Sequence, residues 1–432
     1  MFVLRIRPLI WTFLCLLILT ALSACAPQAE TENLPSSNDI FLSTGITSTP
    51  FQPQENSDSP YAVPTITPTP RHSTGAIGTL IVEQLNRPTP LPYVPGQSTV
   101  VPPAPEVNPL TGLILTEPSL LERRPIAIKI TLFPRYVRPQ SGLSLADVVF
   151  EYYIEDGLTR FIAVFYGRDA EWVGPVRSGR FFDEHIARMY QAFFVFKYAD
   201  PRAYDYFKET DLAKFLVVPG VGACPPFRVG KSERDTYNNI FFNTVEFKDC
   251  IAKREGVDNL RPSLRSGFFG DLPPEPDDNA SRIYLHYSPD SYSYWDYLPE
   301  EKRYQRYQET VSLRDGKSEA YAPLYDDLTG NPIVADNIVV FFVEHKFANQ
   351  FDEEDEVYHI DIYGGGKAYI FRNGIVKKGF WQRTDINQPL LLTDENNVPI
   401  YLKPGVTFYQ VMGLASSVSQ TEEDWYFRFE TP

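Results

Sequence analysis

The pattern of apolar and polar positions divides this chain into three stretches. Leu9 to Leu22 is a nearly unbroken apolar run. Residues 26–107 sustain neither a helical nor a strand period, and only Ala76–Leu85 is apolar enough for a weak helix. From Asn108 onward the periods are clear. Pro125–Leu132, Asp147–Ile154 and Leu158–Tyr166 predict strands. The Asp156-Gly157 dipeptide between the last two predicts a tight hairpin. Phe182, Ile186, Met189, Tyr190 and Phe193 form an apolar stripe that predicts a helix over Arg180–Phe194. A second helix is expected over Thr244–Glu255, stopped by Gly256.

Beyond residue 280 the pattern becomes one of many short strands. They are expected at Ile283–Tyr287, Tyr292–Tyr297, Tyr304–Gln308, Asn337–Glu344, Val357–Tyr363, Ala368–Arg372, Lys378–Arg383, Pro399–Leu402, Thr407–Met412 and Trp425–Phe429. Asp315-Gly316, Asn373-Gly374 and Asn396-Asn397 supply turns between them. The fold class expected is α+β: a mixed α/β domain over 108–278, then a β-rich, sandwich- or barrel-like domain over 279–432. The boundary is drawn in the Pro-, Gly- and Asp-rich stretch containing Leu272-Pro273-Pro274-Glu275-Pro276.

The first stretch changes the address of the protein. Arg5 and Arg7 precede the apolar run, and Leu22-Ser23-Ala24-Cys25 follows it. A basic start, a short apolar core and a small-residue site make a secretory signal. A cysteine directly after the small residues makes it a lipoprotein signal: residues 1–24 are removed and Cys25 carries lipid, palmitate among its chains. The mature chain is then anchored to the membrane at its extracytoplasmic face. Residues 25–107 hold 15 of the chain's 38 prolines among Ser, Thr, Gln and Asn. This composition predicts a disordered, partly polyproline tether.

Charge narrows the partners. The net charge is −15, and removing residues 1–24 takes away two arginines and no acid, leaving −17. Such a chain is not expected to bind nucleic acid through its bulk field, which needs a basic face, and it should be repelled by anionic headgroups, so the lipid is expected to be its main membrane attachment. Outside the cytoplasm, Cys224 and Cys250 form either a disulfide or two buried thiols. The five histidines, His72, His185, His286, His345 and His359, show no ligand spacing, and neither a metal nor a cofactor is implied.

Two segments carry candidate chemistry. In a strand, Glu151, Tyr153 and Glu155 share a face. A two-residue turn at Asp156-Gly157 would pair Tyr153 with Arg160 and set Arg160 between the two acids. The acids would lie roughly 13 Å apart, outside the ~5–9.5 Å window of a glycosidase pair, so a salt-linked or ligand-binding face is expected. The second segment is Gly174-Pro175-Val176-Arg177-Ser178-Gly179-Arg180, leading into the first helix. With Ser178 as N-cap, Arg177 and Arg180 would flank free backbone N–H groups and attract an anion. Arg138, Gln140 and Glu151 are expected on the same concave surface. The alternative is that Asp183, Glu184 and Glu151 consume both arginines internally.

Other features are blander. Neither Gly-x-Ser-x-Gly nor a Walker loop is present. Gly364-Gly365-Gly366 reads as a turn and Asp352–Glu356 as a solvated acidic loop. The aromatics Tyr292, Tyr294, Trp295, Tyr297, Tyr304 and Tyr307 read as core and cross-strand pairs, with stacking on sugar rings as the alternative.

Several motifs together resemble the YerB-like bacterial lipoproteins. They are Asn108-Pro109-Leu110-Thr111-Gly112, Arg124-Pro125-Ile126-Ala127-Ile128, Arg138-Pro139-Gln140-Ser141-Gly142-Leu143 and Ala146-Asp147-Val148-Val149-Phe150-Glu151. Glu155-Asp156-Gly157-Leu158-Thr159-Arg160-Phe161 and the Gly174–Arg180 run continue the match. Asp336-Asn337-Ile338-Val339-Val340, Gly379-Phe380-Trp381 and Ile400-Tyr401-Leu402-Lys403-Pro404-Gly405 extend it more loosely. The resemblance implies a two-part extracytoplasmic lipoprotein and supplies no activity. The chain departs from the family at Tyr237-Asn238-Asn239, where a Pro-His-Asn run is common, and at Ala199-Asp200-Pro201. The leading expectation is non-catalytic binding of an anionic cell-envelope ligand or a partner protein. The alternative is a hydrolase or transferase acting on cell-wall glycan, which needs an acid, a base and donors clustered in one pocket.

Overall fold

The computed structural model describes residues 106–220, 222–230, 237–265, 269–352 and 354–432. The signal, Cys25 and nearly all of the expected tether lie outside the described residues. The described residues fall in one compact unit.

The first part of the chain runs β1 (Ile126–Thr131), β2 (Val148–Tyr153), β3 (Thr159–Phe165), α1 (Phe181–Met189), β4 (Phe193–Val195) and α2 (Pro201–Glu209). It continues through β5 (Leu216–Val217), β6 (Phe227–Val229), β7 (Ile240–Phe242) and α3 (Thr244–Ile251). The second part is nearly all strand. It runs β8 (Asp278–Asn279), β9 (Arg282–Ser288), β10 (Ser291–Leu298), β11 (Arg303–Glu309), β12 (Tyr321–Pro323), β13 (Val334–Ala335) and β14 (Asn337–Val343). Then come β15 (His345–Phe347), β16 (Tyr358–Ile360), β17 (Gly364–Arg372), β18 (Ile375–Arg383), β19 (Leu391–Thr393), β20 (Thr407–Gly413), β21 (Ser417–Thr421) and β22 (Asp424–Arg428).

An 11-stranded mixed sheet has the order β19-β18-β17-β14-β20-β2-β3-β1-β4-β5, with β8 on β18. Its centre is a parallel seam, β2 on β20, where Val148 pairs with Thr407 and Glu151 with Gln410. Strands from both halves of the chain therefore share one sheet, and the boundary drawn at 278/279 passes through β8. The apolar runs explain who sits in the middle. Val-Val-Phe-Glu-Tyr-Tyr of β2, Asn-Ile-Val-Val-Phe-Phe-Val of β14 and the whole of β20 are buried at every position, as strands covered on both faces must be.

One face of this sheet packs against α1, through Phe150 and Tyr152 on Phe182. The other packs against a seven-stranded sheet of order β12-β11-β10-β9-β22-β21, with β13 on β11. Phe408 meets Trp295 across this interface, and Phe371 meets Trp425 and Phe427. The β-rich part thus forms a sandwich with strands borrowed from the first part. In the second sheet Ile283, Leu285 and Tyr287 point inward while Arg282, Tyr284 and His286 stay half exposed, a clean period of two.

Local differences from expectation have local causes. The first helix ends at Met189 rather than Phe194, because Gln191 takes φ +49° and the chain turns into β4. The second helix ends at Ile251. Pro399 and Leu402 make only isolated bridges, and of Val357–Tyr363 only Tyr358–Ile360 is strand. The expected Gly364–Gly366 turn is the start of β17. Glycine is required there because a Cβ at Gly366 would come within 2.6 Å of the Trp381 indole nitrogen.

Candidate functional site

The β2–β3 hairpin turns through Glu155-Asp156-Gly157. Ile154 N–H donates to Leu158 O and Leu158 N–H to Glu155 O, both at 2.9 Å, and Asp156 and Gly157 take φ of +56° and +73°. The turn is one residue longer than expected, so Tyr152 faces Arg160 and Glu151 faces Phe161. A one-residue slip flips side chains to the opposite face. The expected shared face of Glu151 and Arg160 is thereby corrected: they lie on opposite sides of the sheet.

Glu151 points into the sandwich. Arg306 donates to its carboxylate through both terminal nitrogens, at 2.7 and 3.0 Å, and the Thr159 hydroxyl donates at 2.9 Å. Both charged side chains are buried. Glu151 is a tie between the two sheets and lines no surface.

On the α1 side, Arg180 rather than Ser178 is the N-cap residue. Its N–H donates to the Asp183 carboxylate at 2.7 Å. The Arg180 guanidinium grips Glu155 in two-pronged fashion, Nε to Oε2 at 2.7 Å and Nη2 to Oε1. Behind this pair, Lys129 of β1 donates to Tyr152 and Asp183, and the Tyr152 hydroxyl donates to Asp183 at 2.7 Å. Burial pulls the Lys129 ammonium down to about 7, with Asp183 opposing the shift. Burial, reinforced by Asp183, pushes the Tyr152 phenol well above 10.

Arg160 is placed differently. Its side chain is 8% exposed, and its closest carboxylate among the described residues, Glu155, lies 3.9 Å away and is already held by Arg180. Its Nη1 donates to Ser178 O at 3.0 Å. Burial lowers its guanidinium pKa from the ordinary value, with Tyr152, Asp183 and Tyr237 acting in the opposite sense. It lines a cavity of about 250 Å³ with Arg177, Thr131, Phe133, Pro134, Ile154, Leu158, Thr159, Tyr237 and Asn238. Arg177 lies over the Tyr237 ring at 4.2 Å. Among the described residues lining it, none is an acid, a histidine or a cysteine.

Arg138 and Gln140 do not join this cavity. Arg138 binds the buried carboxylate of Glu309 at 2.6 Å and lines a separate 360 Å³ pocket with Arg135 and Tyr325. Gln140 is fully buried and donates to Thr131 O at 3.0 Å. The expected concave surface thus resolves into an Arg160–Arg177 cavity, an Arg180–Glu155 pair beside it, and three residues engaged elsewhere. Sequence reasoning passed over Lys129, Tyr237 and Asn238 as site residues. A lysine among isoleucines in a strand buried on both faces was the available signal. Tyr237 and Asn238 belong to the stretch where the chain departs from the family pattern.

The remaining candidates are structural. Tyr426, Tyr284, Tyr294 and Tyr307 stand in register across four strands on the outer face of the second sheet. Tyr284 and Tyr426 stack at 4.7 Å, and Tyr294 and Tyr307 at 4.6 Å, so they cover one another's faces as cross-strand pairs do. In the acidic run, Glu356 accepts from Tyr153 and the Asp156 N–H, and Asp355 pairs with Arg202. Cys224 and Cys250 are joined by a disulfide with Cα atoms 5.4 Å apart. No group of three metal-ligating side chains occurs among the described residues, nor any helix long and apolar enough to cross a membrane.

Residues 110–258 match the N-terminal domain, and residues 283–409 the C-terminal domain, of the protein family of unknown function DUF3048. The chain belongs to this family. A relative, YerB of Bacillus subtilis (strain 168), is called a lipoprotein in its name; it is 27% identical over 288 residues, 64% of this chain and 78% of YerB. The crystal structure of Bacillus subtilis YerB superposes with a TM-score of 0.59 at 24% identity, covering 71% of this chain and 96% of that one. That likeness shows that the two chains share a fold.

Proposed function

We propose that this DUF3048 protein is a lipoprotein anchored through Cys25 at the extracytoplasmic face of the cell membrane, and that its folded part binds an anionic ligand without chemistry. The Leu22–Cys25 tetrad and the lipoprotein name of YerB support the anchor. Arg160 carries the binding reading. A buried guanidinium whose closest carboxylate among the described residues is 3.9 Å away and shared with another arginine is costly unless an anion completes it. An anion entering the adjacent cavity does so. A glycan hydrolase or transferase is less well supported, because Glu151, Glu155 and Asp183 are each held by a cation.

Two experiments test the reading. Metabolic labelling with a lipid precursor should mark the wild-type chain and not Cys25→Ala; equal labelling rejects the anchor. Thermal melts with inorganic phosphate and small carboxylates should show at least one anion that raises the melting temperature with concentration, as ligand linkage requires. Arg160→Met should abolish that rise. No shift with any of these anions rejects the binding site.

A further inference from the structure

We infer that the open edge of β21 pairs with β21 of a second copy of this chain, antiparallel and about a two-fold axis at Ser419. An open strand edge is a template for further pairing, and folded chains shorten, cover or charge such edges. The other edges of the two large sheets follow that rule. β5 is two residues long, and Arg254 donates to its Leu216 O at 3.2 Å. β19 is three residues long, and Ile400 N–H donates to its Leu392 O at 2.8 Å. β12 is three residues long and ends at Pro323. β21 uses none of these devices. Ser417-Val418-Ser419-Gln420-Thr421 is exposed at every position and carries neither charge nor proline.

The ladder fixes which backbone groups are open. On its far side β22 is bonded to β9: Glu423 O accepts from Ser281 N–H, and Phe429 N–H donates to His286 O. Successive residues of a strand direct their backbone groups to opposite sides, so Asp424, Tyr426 and Arg428 face β21. Their partners Thr421, Ser419 and Ser417 are thereby bonded to β22. Val418 and Gln420 direct their N–H and C=O groups outward, where no other strand among the described residues pairs with them.

The side chains select the occupant. With the axis at Ser419, Val418 exchanges backbone hydrogen bonds with Gln420 of the second copy, and the symmetric pair does the same. Ser417 then stands beside Thr421 of the second copy and Ser419 beside its own equivalent, short hydroxyls that can bond across strands. Charge favours the same arrangement. Asp424 and Arg428 flank β21 at Thr421 and Ser417, and neither has an ion-pair partner among the described residues. Antiparallel pairing sets Arg428 in one row with Asp424 of the second copy, three strand spacings or about 15 Å apart at the backbone, a gap that the arginine side chain narrows. The acidic Glu422-Glu423 turns fall at opposite ends of the joint, about 20 Å apart, whereas parallel pairing would set them side by side. Five residues a side make a contact well below the ~1,200 Å² of a standard interface, so the pair is weak and forms at high protein concentration.

Oxidative cross-linking of the purified full-length chain at high concentration tests the pairing. Ser419→Cys places a thiol on the axis, in a pair whose Cα atoms stand about 4.5 Å apart and so within disulfide reach. It should give a covalent dimer, absent from the wild type and dissolved by a reductant. Ser417→Cys and Thr421→Cys should each stay monomeric, while a mixture of the two should cross-link. Val418→Lys added to Ser419→Cys should suppress the dimer, because the two ammonium groups then lie on a diagonal about 7–8 Å apart at the backbone. The melting temperature should not change, since Val418 faces solvent. A Ser419→Cys chain that stays monomeric overturns the proposal. Self-cross-linking of Ser417→Cys overturns the antiparallel register. A mixed disulfide with a different protein in producing cells, with no homodimer, overturns the second copy as the occupant.

Discussion

Lys129 Nζ lies 2.9 Å from Asp183 Oδ1, and neither side chain is exposed. The pair joins the central sheet to the first turn of α1, beside the cavity wall. Removing one partner leaves an uncompensated buried charge. Asp183→Asn should therefore cost about 3–5 kcal/mol in urea unfolding. The pH dependence has a defined sign. Lys129 titrates at about 7 in the folded chain, against ~10.4 when unfolded, so the unfolded chain holds more protons between these values. This group's contribution to stability is least favourable below pH 7 and rises between pH 7 and 10, by up to about 1.4 kcal/mol per unit. Lys129→Met should remove the rise; identical pH profiles for mutant and wild type would count against it.

Glu151 and Arg306 make the corresponding tie on the opposite face. Glu151→Gln should destabilise by about 3–5 kcal/mol, because Arg306 is then buried against a neutral amide. Glu151→Leu with Arg306→Met should recover much of the loss, since apolar replacements of a buried pair are often neutral or better. A double mutant that is no more stable than either single one would show that packing, not the ion pair, governs this site.

The strands were legible in the sequence where an apolar run was continuous or alternated cleanly, as in β2, β14 and β9. Their partners were not. Val148–Tyr153 announces a strand buried on both faces, but nothing in its period says that it pairs in parallel with Thr407–Gly413, more than 250 residues away. The site was partly legible for a related reason. Arg160, Arg177 and Tyr237 converge only through long-range packing, while the hairpin register turned on one residue, Glu155, that joins the turn instead of the strand. That slip moved Glu151 out of the expected site and into the sandwich. Arg138 was misplaced because the chain from Leu132 to Pro139 sends Phe133 and Pro134 to one cavity and Arg135 and Arg138 to another.

The Cys224–Cys250 disulfide closes a loop with a sequence separation of 26 and ties α3 to the segment entering β6. Chain-entropy arguments give about 3–4 kcal/mol for such a loop. Cys224→Ser should lower stability by roughly that amount. It should also weaken any ligand of the Arg160 cavity, because Tyr237 and Asn238 lie between the strands that the bridge braces. Quantitative thiol labelling of the unreduced wild-type protein should find neither cysteine reactive; two reactive thiols would contradict the bridge.

His345 sets a limit on the acid side. Its ring is buried against Tyr358 and Phe429, with Nδ1 3.0 Å from Val343 O. Burial pushes its pKa down to about 4, against ~6.5 for an unperturbed histidine. The folded chain therefore keeps this ring neutral while the unfolded chain takes up a proton between those values. The stability it contributes is fully present above pH 6.5 and is lost as the pH falls towards 4, at up to about 1.4 kcal/mol per unit. His185 is pushed the same way, to about 4, by burial and by the Arg383 guanidinium. Asp361, 3.8 Å from its ring, opposes the shift. Melting temperature measured from pH 7 to pH 4 should fall, and His345→Gln should make the decline shallower, because an amide takes up no proton in either state. A mutant profile as steep as the wild-type one would place the acid sensitivity in other groups.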